Sequence, residues 1–326
     1  MTSKESSRAV PVKAWIAAGV CLVLLGSAAA WFFLGRETSP PCNGLAEDAR
    51  VQKSVGQAVH PGMNCAALGE AVVKATAGSE PGRHTQAQAQ AMKDVLFALG
   101  FGPSKEVDLD PALRLPVAAA LADYAPDLHE MLAGLNSEYV TKAGRDTPPW
   151  EAGGTYRLSV STDVFRKTLR AVAENPQAYA LLRKTETRFA AERLAAVPAD
   201  ATGTALSGPP TANARALGIL DGLADTITNQ DAQQARKWRD IVFERLLEGQ
   251  VGPPAYQDDP AGHLTATWLQ ELKNAPEEER AESLRTQGVS MARTWTQARN
   301  TDEQTRQDLL TKVESSALNA RREIEP

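Results

Sequence analysis

A chain of 326 residues can hold one large or two small domains with real cores, and a make-up of 43% hydrophobic and 23% charged residues excludes a disordered or fibrous chain. The formal charge of −5 becomes −7 once Lys4, Glu5, Arg8 and Lys13 are set aside, with 32 Lys+Arg against 39 Asp+Glu; the remainder has no electrostatic reason to bind nucleic acid or anionic lipid, and no nucleic-acid partner is expected. Abundant alanine with only 6% aromatic residues favours helices packed through small side chains over sheets.

The 21 residues from Ala14 to Leu34 (AWIAAGVCLVLLGSAAAWFFL) carry no charge. As a helix rising about 1.5 Å per residue they span a hydrocarbon core of about 30 Å. Trp15 at one end and Trp31, Phe32 and Phe33 at the other suit the two interfaces. Lys4, Arg8 and Lys13 precede the segment, while Arg36 and Glu37 cancel after it, so the positive-inside rule puts the N-terminus in the cytoplasm and the rest outside. A cleaved signal peptide, with Ala28-Ala29-Ala30 as the cleavage site, is the competing reading. It would leave the strongly apolar Trp31-Phe32-Phe33-Leu34 as the mature terminus, which favours the uncleaved anchor; either reading exports the domain. Cys21 lies in the span. Cys42 and Cys65 remain, and an outer compartment permits a disulfide between them; two free thiols are the alternative.

Residues 36–43 (RETSPPCN) read as a short polar tether. Gln86–Leu99 repeats apolar residues at helical spacing, with Thr85 as N-cap and Gly100 at its end. Pro111–Tyr124 is a second apolar helix, broken or begun around Pro116. Asp127–Leu135 adds a short helical turn. Thr141–Gly154 is a turn-rich break, and the alternation of Tyr156, Leu158 and Val160 points to a short extended piece. Ser161 or Thr162 caps a helix carrying Phe165, Leu169 and Val172. Asn175-Pro176 starts the next, which stops before Pro198. Pro198–Pro210 is expected to be a loop. The helix after it carries Gly218 and Gly222 one turn apart, either to admit a close neighbour or as tolerated glycines. Asp231–Leu247 has a clear buried stripe, Gly249–Gly262 is a break, and Trp268, Leu269 and Leu272 mark a short helix. Two polar helices end the chain, the second opened by the capping pattern Thr301-Asp302-Glu303-Gln304. They are expected to form an antiparallel hairpin at a rim or as a protruding pair.

No GxSxG, HExxH, phosphate-binding GKS/T or GxGxxG motif is present. No Cys/His cluster has metal-ligand spacing, so no catalytic residue, metal or cofactor is assigned. His60, His84, His129 and His263 are scattered. Asp127-Leu128-His129-Glu130 is the densest titratable cluster, an acid/base pair or, more plainly, a solvated helix end. Asp221 and Asp225 share a helix face; paired carboxylates can hydrolyse glycosides, but acidic pairs at this spacing are common on solvated faces. Glu314-Ser315 opens like some muramidase motifs, yet SALNARR does not continue the pattern. Trp150, beside Pro148 and Pro149, is a candidate partner contact, against the plainer reading that it folds back over the core.

Three blocks occur in a distinctive order: LPVAAALADYAPDLH, then STDVFRKTLRAVAENPQAYALLRKTETRF, then NARALGILDGLADTI. With them, residues from about Leu113 to Leu247 resemble a family of uncharacterised actinobacterial α-helical domains found in exported or toxin-associated proteins. The resemblance implies a helical fold and no known activity or catalytic residue.

The sequence therefore leads us to expect an all-α, multi-helix, bundle-like extracytoplasmic domain behind one transmembrane helix. Residues 1–13 form a cytoplasmic tail, 14–34 the membrane helix, 35–43 the tether, 44–274 the domain and 275–326 the helical hairpin. The expected partners are membrane lipid, through the N-terminal helix, and an unidentified envelope protein. A non-enzymatic interaction module is the leading functional reading, with a cell-wall hydrolase or a component of an exported toxin system as alternatives.

Overall fold

Short side chains that bond to backbone amides start most of the helices. In the computed structural model, which describes residues 42–101, 107–229 and 231–324, Asp48 caps α1 (Ala49–Val55) and Asn64 caps α2 (Cys65–Thr76). Thr85 opens α3 (Gln86–Gly100) with a reciprocal capping box to Gln88. Asp110 caps α4 (Pro111–Asp123), which runs through Tyr124 into α5 (Ala125–Ala133). Asn136 caps the short α6 (Ser137–Thr141). Each cap satisfies amides that the first turn leaves without intrahelical partners.

A two-stranded antiparallel hairpin follows, β1 (Trp150–Ala152) against β2 (Thr155–Arg157), with Trp150 opposite Arg157. Its turn needs left-handed backbone at both positions, which Gly153 (φ 63°) and Gly154 (φ 74°) supply. Then come α7 (Thr162–Ala173), α8 (Pro176–Ala195), α9 (Gly203–Thr228), α10 (Ala232–Leu247), α11 (Pro260–Asn274), α12 (Arg280–Arg285), α13 (Gln287–Ala298) and α14 (Glu303–Arg322). The described part of the chain is all-α apart from this hairpin.

Residues 41–326 form one compact unit. Helix α8 runs through its middle, packed by α4, α5, α7, α9, α10 and α11. That position explains why α8 buries Tyr179, Leu182, Ala190 and Leu194 and also the polar Arg183, Glu186 and Thr187. Helices α1 to α4 and α7 pack among themselves, as do α11 to α14. Cys42 and Cys65, both buried, are joined in a disulfide with Cα atoms 5.3 Å apart, which fastens the start of the unit to the start of α2.

The expected cytoplasmic tail (1–13), membrane helix (14–34) and most of the tether lie outside the described residues. Among the described residues no helix is long and apolar enough to cross a membrane.

Several elements differ from the sequence reading, each for a physical reason. Pro116 neither breaks nor begins α4: the helix starts at Pro111, and Pro116 sits in its second turn against α2 at Gly69. The expected 198–210 loop is helical from Gly203, with Pro209 and Pro210 inside α9. Proline's fixed φ is helical, and the carbonyls that lose partners belong to the exposed Ala205 and half-buried Leu206, where water can serve them. The two terminal helices, set apart at 275 in the sequence reading, belong to the same compact unit, and α14 lies along α9 in the most extensive helix pairing of the fold. Gly218 and Gly222 make that approach possible: a Cβ on Gly218 would stand 2.3 Å from the Ala317 carbonyl oxygen, and one on Gly222 2.7 Å from that of Arg321.

Candidate functional site

The site is built from α8 outward. Arg183 sits one turn after Tyr179 on the face that enters the bundle, and its guanidinium is fully buried. Nη1 donates to Asp221 Oδ1 at 2.5 Å and to the Tyr179 hydroxyl at 3.3 Å. Nε donates to Gln287 Oε1 and Nη2 to the Leu284 carbonyl, each at 2.7 Å. Gln287 in turn donates to the Thr187 hydroxyl at 2.7 Å. One side chain thus fastens α8 to α9, α12 and α13. A planar, always-charged donor with a fixed fork suits this task, and a lysine would not. Burial pushes the Asp221 carboxyl up to about 6, with Arg183 pulling against it. Burial also opposes the Arg183 charge, but Asp221 and Tyr179 outweigh it and the guanidinium is held more firmly protonated.

Above this floor a cleft of about 430 Å³ opens between α9, α11, α12, α13 and α14. Asp225, one turn beyond Asp221, has both oxygens engaged: Oδ1 by Arg285 at 3.0 Å and Oδ2 by Arg321. Trp268 forms an apolar wall, its indole N–H directed to the Ser283 carbonyl at 3.4 Å. Ser290 donates to Glu271 across the cleft. Glu282, Arg293 and Glu314 are among the other lining residues, and all three are exposed. The solvated acidic face expected for Asp221 and Asp225 is therefore corrected. Asp221 is 4% exposed, and both aspartates are neutralised by arginines from other helices. Glu314, which the sequence set aside, stands at the rim of the same cleft.

A second polar centre lies around α5. Asp127 Oδ1 accepts from the Tyr139 hydroxyl at 2.8 Å and from the Leu158 amide at 3.2 Å, and Oδ2 faces Arg157 Nη1 at 3.6 Å. Two residues on, His129 Nδ1 pairs with Glu186 Oε1 at 2.7 Å. Asp127, His129 and Glu186 are all 0% exposed, so the solvated helix end expected for Asp127–Glu130 is also corrected: the polar face of α5 turns inward to meet α8 and the hairpin. Burial pushes Asp127 up to about 6, opposed chiefly by Arg157, and burial raises the Tyr139 phenol. Chemically this centre ties α6 and β2 to α5.

The histidines that look scattered in sequence include two paired ones. Beside His129 and Glu186, His84 Nε2 lies 3.0 Å from Asp123 Oδ2, and its ring stacks on Tyr124 at 3.5 Å. Burial lowers the His84 pKa. Trp150 is half-buried. Its ring meets Tyr139 edge-on at 5.0 Å and lies 4.6 Å from the Lys142 ammonium.

Sequence reasoning missed Arg183, Glu186, Asp123 and Gln287. One signal was present for two of them. Arg183 and Glu186 stand three to four residues from Tyr179, Leu182 and Phe189, inside the apolar stripe of α8, and a charge in such a stripe needs a buried counterpart. Among the described residues no group of three or more His, Cys, Asp and Glu is arranged to hold a metal ion. Comparison of the chain with protein-family profiles, with curated proteins and with solved structures finds no match.

Proposed function

We propose that this chain displays its all-α unit outside a membrane, anchored by residues 14–34, and that the unit binds an envelope protein through the cleft between α11, α13 and α14. The observation that carries this reading is the pairing of the buried cleft carboxylate, Asp221, with Arg183, and of Asp225 with the cleft-lining Arg285 and Arg321. A general acid or base must offer a lone pair or proton to a substrate, and Asp221 Oδ1 and both Asp225 oxygens are already bonded. The cleft offers a visitor its exposed rim of Glu282, Arg293 and Glu314. Mixed exposed charge is suited to a protein surface of complementary pattern. The disulfide between Cys42 and Cys65 supports an oxidising address outside the cytoplasm, and Lys4, Arg8 and Lys13 support the orientation.

Two experiments test this. An alkaline phosphatase fused after Pro326 should be active, as that enzyme matures only outside; an inactive, stable fusion would overturn the topology. Capture from solubilised membranes should retain a protein with the wild-type unit and lose it with Glu282→Arg plus Glu314→Arg. Identical captures would overturn the cleft as the binding site.

A cell-wall hydrolase is the second reading, favoured by Asp221, Glu271 and Glu314 lining one cleft. Zymography on peptidoglycan separates the two. A lysis band lost in Glu314→Gln, a rim substitution that leaves the Arg183 centre intact, would replace the binding reading. A role in a toxin system rests on the family resemblance alone, and genes flanking this one test it.

A further inference from the structure

Resting on the cleft-binding reading above, we propose that the group this cleft receives from its protein partner is a basic side chain, lysine or arginine, held by Glu271 and Glu314. The charges decide the sign. Asp221 is matched by Arg183, and Asp225 and Glu282 by Arg285 and Arg321. Glu271, Glu314 and Arg293 are then the charged lining residues left over, all exposed. None of them makes an ion pair among the described residues. Two carboxylates against one guanidinium leave the cleft with one negative charge in excess, and one cation neutralises it.

The lining also suits the rest of such a side chain. Helix α13 packs against both α11 and α14. Glu271 comes from α11 and Glu314 from α14, and α13 contributes Ser290 and Arg293, three residues apart on one face. Each carboxylate shares its helix face with an apolar lining residue: Trp268 lies one turn before Glu271, and Leu318 one turn after Glu314. Leu318 is 41% exposed, one of the few large apolar side chains left to solvent. Lysine and arginine carry a long apolar stem and a charged head, so an apolar strip that ends in a carboxylate meets both parts.

The Ser290 hydroxyl donates to Glu271 Oε2. That bond fixes the carboxylate and leaves Oε1 to accept from an incoming ammonium or guanidinium. An acidic side chain would meet an excess of like charge. An apolar one would take water from Glu271 and Glu314 and give no hydrogen bond in return. Because both carboxylates are exposed, the contact selects the partner and speeds its docking more than it adds raw affinity.

The test uses the full chain in detergent and short, capped, dye-labelled peptides that differ only at the central residue: lysine, norleucine or glutamate. Fluorescence anisotropy at low salt should show the lysine peptide bound about fivefold more tightly than the norleucine peptide, and the glutamate peptide weakest. The preference should shrink as salt is raised and vanish when Glu271→Gln and Glu314→Gln are combined. Glu271→Gln still accepts from Ser290, and the unfolding midpoint of the double variant establishes that it is folded. Equal binding of the peptides, no binding by any of them included, or a lysine preference that survives in the double variant, would overturn the proposal. The two readings fail separately: membrane captures that are identical for wild type and for Glu282→Arg plus Glu314→Arg remove the cleft as the docking site, whereas a cleft-dependent capture without a lysine preference removes the basic side chain alone.

Discussion

Arg183 Nη1 and Asp221 Oδ1 lie 2.5 Å apart at the centre of the bundle, with neither side chain more than 4% exposed. Desolvating two charges is costly, and the pair is tolerable because the remaining guanidinium hydrogens reach Gln287, Leu284 and Tyr179. This one relationship decides how the C-terminal helices join the rest. Asp221 holds the guanidinium from α9 while the other donors of Arg183 reach Leu284 in α12 and Gln287 in α13.

Arg183→Met should lower unfolding stability by about 3–5 kcal/mol, because Asp221 then stays buried without its partner. Arg183→Met combined with Asp221→Leu should recover much of that loss. Urea unfolding followed by circular dichroism measures both. A double variant no more stable than the single one would show that the pair is not the origin of the penalty.

The contact between α9 and α14 has no room for a methyl group at Gly218, where the obstacle is the Ala317 backbone. Gly218→Ala should cost about 1–3 kcal/mol through forced separation of the helices. Thermal unfolding measures the loss against wild type; an unchanged midpoint would mean that the helices part without cost.

Acidification should stabilise through the buried carboxyls. Asp127 and Asp221 are both raised by burial to about 6 from 3.8. A carboxyl with a raised folded pKa holds its proton more tightly in the folded state. Its contribution is complete below the unfolded value and lost as pH rises through about 6. Between pH 7 and pH 5 each group should add about 1 kcal/mol. Asp127→Asn imitates the protonated form and still accepts from Tyr139 and Leu158, so this variant should show a shallower rise. An unchanged slope in urea midpoints from pH 7 to 5 would assign the dependence elsewhere.

Reduction should loosen the start of the unit. The Cys42–Cys65 bridge closes a sequence separation of 23 residues, and a loop of that size restricts the unfolded chain by about 3 kcal/mol. Cys42→Ser with Cys65→Ser should lower stability by that amount and should remove the difference in unfolding midpoint between oxidised and reduced samples. If dithiothreitol leaves the wild-type midpoint unchanged, the bridge is not a stabilising element.

Much of the local structure was legible in the residues. Thr85 and Asn175-Pro176 carry their own caps, because a cap is a bond between neighbours and needs no distant partner, while the box read from Thr301 is displaced by one residue, with Asp302 capping α14 through the Thr305 amide. The stripe of Trp238, Val242 and Leu246 declared a buried face for the same reason. Asp127, His129 and Asp221 read as solvated because their counterparts lie far along the chain: Glu186 is 57 residues from His129, and Arg183 is 38 residues from Asp221.

The sequence by itself determined that this chain is helical, where α3, α7, α8 and α10 begin, which two cysteines remain outside the apolar segment, and that Gly218 and Gly222 lie on one helix face. These follow from spacings of a few residues, over which backbone geometry alone places side chains. The tertiary structure decided which polar groups are buried, which arginines neutralise which aspartates, and that α14 closes the bundle along α9. Those outcomes depend on desolvation and on groups brought together from distant parts of the chain, and neither quantity is written in any short stretch of residues.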